Sequence, residues 1–141
     1  APDFFSSFLM DDKKLIEQAI AAKERAIAPH SQFPVGAALR TLSGDIYTGC
    51  NIESSSYSLT LCAERVALFK ALSEGERQFD AIAITTSVND FCPPCGACRQ
   101  VLWDFARDIT VILVSQSAEI KRMKMSDFFP HAFDDEFLIN D

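Results

Sequence analysis

Val35-Gly36-Ala37-Ala38-Leu39-Arg40-Thr41, Leu42-Ser43-Gly44-Asp45 and Ile46-Tyr47-Thr48-Gly49-Cys50 form one continuous stretch. Two short, largely apolar segments flank a turn containing Ser, Gly and Asp, which predicts an antiparallel hairpin. Upstream, Asp12 to Ala28 carries Leu15, Ile16, Ala19, Ile20, Ala26 and Ile27 at helical spacing, with Pro29 as the stop. Downstream, Cys62 to Ser73 predicts a second helix, apolar on most of its faces and ending near Gly75. Ala81 to Thr85 reads as a buried strand, Cys95 to Phe105 as a helix opened by Pro93-Pro94, and Ile109 to Val114 as another buried strand. Ile120 to Met123 is expected to pair beside it through the Ser115–Glu119 turn, and Ser126 to Phe129 to form a short last helix. Strands alternating with helices predict an α/β fold with helices covering a sheet, and the hairpins make that sheet mixed.

The 141 residues suit a single domain, 1–141, with one core, and 48% hydrophobic against 23% charged residues is a globular composition. Asp and Glu number 20 against 13 Lys and Arg, a net charge of −7 that repels polyphosphate. A nucleic acid is therefore not the expected partner, whereas a small, weakly charged molecule suits this surface. No apolar run is long enough to cross a bilayer. The opening Ala1-Pro2-Asp3-Phe4-Phe5 lacks the basic start of an export signal, so a cytoplasmic location is expected. Five cysteines in such a chain point to metal or thiol chemistry more than to a disulfide scaffold.

The chemistry concentrates in Cys62-Ala63-Glu64 and Pro94-Cys95-Gly96-Ala97-Cys98. Cys95 and Cys98, three apart at a helix start, can present both sulfurs on one side, where the helix dipole favours thiolate. If Cys62 also opens its helix, three thiolates converge and leave a fourth zinc position free for water, the arrangement of a catalytic site. Residues two apart on a regular helix lie about 200° apart, so Cys62 and Glu64 share a cavity only if Cys62 occupies the irregular first position. A carboxylate there can take a proton from a zinc-bound water. Three thiolates on a dication leave about one net negative charge, and Arg65 is placed to donate to a ligand sulfur and offset it.

Together these stretches resemble the zinc-dependent cytidine deaminases in their small homotetrameric form. Phe33-Pro34-Val35-Gly36-Ala37-Ala38-Leu39 resembles that family's first-strand motif. Gly49-Cys50-Asn51-Ile52-Glu53, Cys62-Ala63-Glu64-Arg65 and Cys95-Gly96-Ala97-Cys98-Arg99-Gln100 follow in the family's order. The resemblance implies a three-layer αβα fold with a mixed five-stranded sheet, and zinc (Zn2+) held by Cys62, Cys95 and Cys98. It implies hydrolytic deamination of cytidine and 2′-deoxycytidine in pyrimidine salvage, with zinc-bound hydroxide attacking C4 and Glu64 shuttling the proton. Phe33 would pack against the pyrimidine, Asn51 and Glu53 would hold the ribose, and the Ala63 N–H would meet the base carbonyl. Tyr57 and Phe133 would border sites shared between subunits of a homotetramer.

The chain departs from that pattern at Pro93, where the family usually has Ser, and at the extra thiol of Cys92. The Ser54-Ser55-Ser56 loop and the Phe128-Phe129 pair are further departures. Plainer roles stand beside the functional ones. Cys95 and Cys98 taken alone could be a redox dithiol, Cys50 and Cys92 inert thiols, and Glu64 the ion-pair partner of Arg65. Phe33 and Phe133 could be core or interface, and Asn51 and Glu53 could shape a turn. Rival functions are deamination of a modified cytosine nucleoside such as blasticidin S, a zinc or redox module without turnover, and nucleic-acid editing, which the acidic surface disfavours.

Overall fold

The computed structural model describes the backbone of residues 4–139 and the side chains of residues 12–136 and 138. The opening Ala1-Pro2-Asp3 lies outside the described residues. The order is α1 (Phe4–Lys23), β1 (Val35–Thr41), β2 (Ile46–Cys50), α2 (Ala63–Ser73), β3 (Phe79–Thr86), α3 (Gly96–Ala106), β4 (Thr110–Val114), β5 (Ile120–Lys124), α4 (Met125–Phe128) and α5 (Glu136–Ile139). A 3-10 turn at Tyr57–Leu59 precedes α2. The five strands form one sheet in the order β2-β1-β3-β4-β5. β3 and β4 pair in parallel, and the other three pairs are antiparallel, so the sheet is mixed as expected.

Residue alternation along the central strands builds two cores. Ala37, Leu39, Ile82, Ile84, Val111 and Leu113 pack with Ala67 and Leu68 of α2 and Leu102 of α3. The intervening Ala38, Ala81, Ala83, Ile112 and Val114 pack with Leu15, Ile16 and Ala19 of α1. The result is helix, sheet and helix in three layers.

Small residues on β1, β2 and β3 let the helices approach closely. A Cβ at Gly36 would lie 2.1 Å from the Ala19 carbonyl oxygen, and one at Gly49 would lie 2.4 Å from that of Ala63. The carboxylate of Asp12, 2% exposed, meets Arg40 of β1 at 3.1 Å and Arg122 of β5 at 3.2 Å, while Arg40 also pairs with Asp80 of β3 at 2.9 Å. The β5 edge carries Lys121, Arg122 and Lys124, charges that discourage pairing with another strand.

The first helix differs from the expected Asp12–Ala28. It starts at Phe4 and ends at Lys23, well before Pro29. The Glu24, Arg25 and Ala26 N–H groups bond to carbonyls three residues back, and Ile27 is drawn into a bridge with Ile52. Ile27 N–H donates to the Asn51 carbonyl at 3.0 Å, and Glu53 N–H to that of Ile27 at 2.9 Å. Tertiary pairing here outweighs helical spacing. α2 is also less enclosed than its composition suggests, since Phe69 remains 41% exposed in the single chain.

Candidate metal and substrate site

Two helix starts meet at one cavity. Cys62 caps α2 and Cys95 caps α3, both in extended backbone conformation, and Cys98 follows in the first turn of α3. The first N–H groups of each helix have no intrahelical acceptor and carry partial positive charge, which favours thiolates. The Sγ atoms of Cys62, Cys95 and Cys98 all lie within 4.8 Å of one another, and Cys62 and Cys95 are 3.6 Å apart. The off-helix position of Cys62 resolves the angular problem posed by Glu64, because both residues line the cavity.

Glu64 is 5% exposed, and burial pushes its carboxyl up to about 7. The Cys62 thiol is held down to about 5, first by a hydrogen bond from the Cys98 thiol, with Arg65 and Cys95 adding to it against desolvation. Cys98, as donor in that bond and shut away from water, is pushed up. Arg65 Nη2 donates to Cys62 Sγ at 3.6 Å and to the Thr60 carbonyl at 3.4 Å. Its Nε is the one buried side-chain nitrogen or oxygen among the described residues without a hydrogen-bond partner. Three convergent soft donors, with an incompletely satisfied guanidinium beside them, fit a zinc ion: the sulfurs would hold the dication and Arg65 would offset the excess thiolate charge.

The cavity has a volume of about 260 Å³, and its walls also include Phe33, Asn51, Glu53 and Thr86. Asn51 shapes the local backbone and also borders the cavity. Its Oδ1 accepts from Val35 N–H at 2.9 Å and its Nδ2 donates to the Phe33 carbonyl at 2.9 Å, so it shapes the Phe33–Val35 backbone while lining the cavity. Glu53 Oε1 accepts from the N–H groups of His30 at 2.9 Å and Ser31 at 3.1 Å, and Oε2 accepts from the Ser31 hydroxyl. The Ser31 hydroxyl bond, then the backbone donors, hold the Glu53 carboxyl below the usual range.

Phe33, Asn51, Glu53, Cys62, Ala63, Glu64 and Cys95 thus share the cavity. Tyr57 and Phe133 are not among its lining residues. Tyr57 is 74% exposed against the edge of His30, and Phe133 is 52% exposed, its carbonyl accepting from Gln100 Nε2 at 2.9 Å. Ser31 is not among the residues expected from sequence, although a hydroxyl four residues before β1 that accepts from Phe33 N–H at 3.1 Å is a recognisable local turn. Cys92 lines the cavity wall yet stands outside the three-sulfur cluster, and burial pushes its thiol up.

Comparison with known proteins agrees with this geometry. Residues 9–114 match the cytidine and deoxycytidylate deaminase zinc-binding region. The chain is 46% identical over 130 residues to a cytidine deaminase of Sporosarcina psychrophila, covering 92% of this chain and 96% of that protein. It is 47% identical over 125 residues to one from Halalkalibacterium halodurans, covering 88% and 95%. The crystal structure of a cytidine deaminase from Burkholderia pseudomallei superposes with a TM-score of 0.83 at 44% identity, covering 86% of this chain and 98% of that one.

Proposed function

The chain belongs to the cytidine and deoxycytidylate deaminase zinc-binding family, and from that premise we propose that it hydrolyses the 4-amino group of cytidine and 2′-deoxycytidine. Water is consumed, and uridine or 2′-deoxyuridine is released with ammonia. One observation carries the reading: the buried carboxylate of Glu64 borders the same cavity as Cys62 and Cys95, whose sulfurs cluster with that of Cys98.

Cys62, Cys95 and Cys98 would hold zinc, which when bound supplies the Lewis acidity that activates a water for attack at C4. Glu64 takes one proton of the attacking water and delivers it to N3, then passes the remaining proton of the C4 hydroxyl to the departing amine, which leaves as ammonia. Its burial supports this, because a carboxyl with a raised pKa can both accept and return a proton near neutrality. Phe33 packs against the pyrimidine ring, and the Ala63 N–H, at the open start of α2, meets the base carbonyl. Glu53, pre-oriented by Ser31 and His30, and Asn51 take the ribose hydroxyls.

The reading extends to a single domain over 1–141 that works as a homotetramer in cytoplasmic pyrimidine salvage, with sites at subunit interfaces. Exposed Tyr57 and Phe133, outside the lining of the cavity of their own chain, support the shared sites. The test is the ultraviolet change of cytidine and deoxycytidine with purified protein beside Glu64→Ala. Conversion by the parent alone is expected. Unchanged nucleosides with zinc bound stoichiometrically would overturn the assignment.

A further inference from the structure

Two successive prolines precede Cys95, and neither Pro93 nor Pro94 has a backbone N–H. That stretch can be hydrogen-bonded only through its carbonyl oxygens, and α3 has no side-chain cap at Cys95. The donor comes from Arg99, one turn into the helix. Its Nε donates to the Pro94 carbonyl at 2.8 Å, the oxygen of the very peptide that enters Cys95. Its Nη1 donates to the Phe128 carbonyl at 2.9 Å, and the guanidinium lies 5.6 Å from the centre of the Phe128 ring. The segment after Phe128 is tied to the same helix. Gln100 Nε2 donates to the Phe133 carbonyl, and Trp103 Nε1 and Arg107 Nη1 donate to Asp134 Oδ2 at 3.2 and 2.8 Å.

We propose that Arg99 is a positioning residue for the zinc site, clamping the Pro94–Cys95 peptide to the C-terminal segment at Phe128 and so fixing the Cys95 sulfur. A guanidinium suits the task because its rigid fork reaches two separated carbonyls at once, whereas the three donors of an ammonium all radiate from one nitrogen. The C-terminal segment thereby becomes part of what holds the metal, although none of the three sulfurs lies in it. The proposal rests on the zinc role given above to Cys95 and Cys98.

The test is zinc release from purified, zinc-loaded protein into excess chromophoric chelator, for the parent, Arg99→Ala and Arg99→Lys. Partners that orient metal ligands typically contribute about 10–100-fold in affinity, so release from Arg99→Ala should quicken by about that factor, with partial rescue by lysine. The cobalt-substituted protein should show altered cobalt–thiolate absorption in the alanine variant, a readout that general loss of stability would not reproduce. Parental release and an unaltered cobalt spectrum in folded Arg99→Ala would overturn the clamp. If that variant aggregates, Phe128→Ala removes the ring but leaves the carbonyl, and should give a smaller acceleration; an unchanged rate there overturns the clamp equally. Absence of stoichiometric zinc in the parent would instead sink the ligand reading itself.

Discussion

Gly49→Ala should damage the site more than it damages the fold. A Cβ at Gly49 would lie 2.4 Å from the Ala63 oxygen, 2.6 Å from the Ala67 nitrogen and 3.0 Å from Val66 Cβ. All three neighbours belong to the first turns of α2, next to Cys62, Glu64 and Arg65. Ordinary contact begins near 3.4 Å, so the start of α2 must retreat by about 1 Å. Overpacking of this kind costs about 1–3 kcal/mol. Lower freedom of the unfolded chain returns about 0.4–1 kcal/mol, which leaves a folded but weakened protein. A 1 Å displacement of catalytic groups, however, costs about 100-fold in rate.

Gly36→Ala is the control. Its Cβ would meet Ala19 O at 2.1 Å and Lys23 N at 2.5 Å, on the opposite face of the sheet against α1. Denaturant titration gives stability, and the absorbance change of cytidine gives turnover per folded molecule. Both variants should lose stability, and only Gly49→Ala should lose turnover by about two orders of magnitude. Parental turnover in Gly49→Ala, at any stability, would refute the idea that the seating of α2 on β2 sets the site.

Arg65→Ala removes the cation beside Cys62 and should lower turnover by about tenfold or more while displacing the pH–rate profile; an unchanged profile removes Arg65 from the chemistry. Asp134→Asn probes the anchor of the C-terminal segment through Trp103, the chain's one tryptophan. The Trp103 hydrogen bond first, then the Glu136 N–H and Arg107, hold the Asp134 carboxyl below its ordinary value of 3.8, so its stabilising effect is present above that pH and lost as pH falls through the folded value. The stability gap between parent and variant, followed by tryptophan fluorescence, should therefore be constant near neutrality and close in acid; a gap that widened in acid would contradict the assignment. Cys92→Ala should leave zinc stoichiometry unchanged, since Cys92 stands apart from the sulfur cluster, and a fall measured by metal analysis would make it a ligand.

Periodicity and turn chemistry made the layers legible, since β1, β2 and α2 follow local patterns that the tertiary structure reinforces. The end of α1 was not legible, because Ala26 and Ile27 keep a helical spacing while Ile52, distant in sequence, captures the backbone. The Cys62–Glu64 spacing was informative because it conflicted with a regular helix and so demanded the cap position that the structure shows. Ser31 stayed hidden because its importance lies in a hydrogen bond to Glu53, more than twenty residues away. Arg99 was visible as part of a motif, but its link to Phe128 depends on how the chain returns after β5.

Asp12 also marks how far the front of the chain can be cut back. Its carboxylate joins the first helix to β1 and to the far edge strand, and through Arg40 to the charge on β3. Removing one partner of a buried ion pair costs about 3–5 kcal/mol, a large part of the roughly 5–15 kcal/mol that holds a domain folded. Asp80 would still accompany Arg40, which softens the loss, but Arg122 would have no carboxylate in this network. Shortened versions made for crystallography or for fusion to other proteins should therefore retain Asp12 and the turn of helix that presents it.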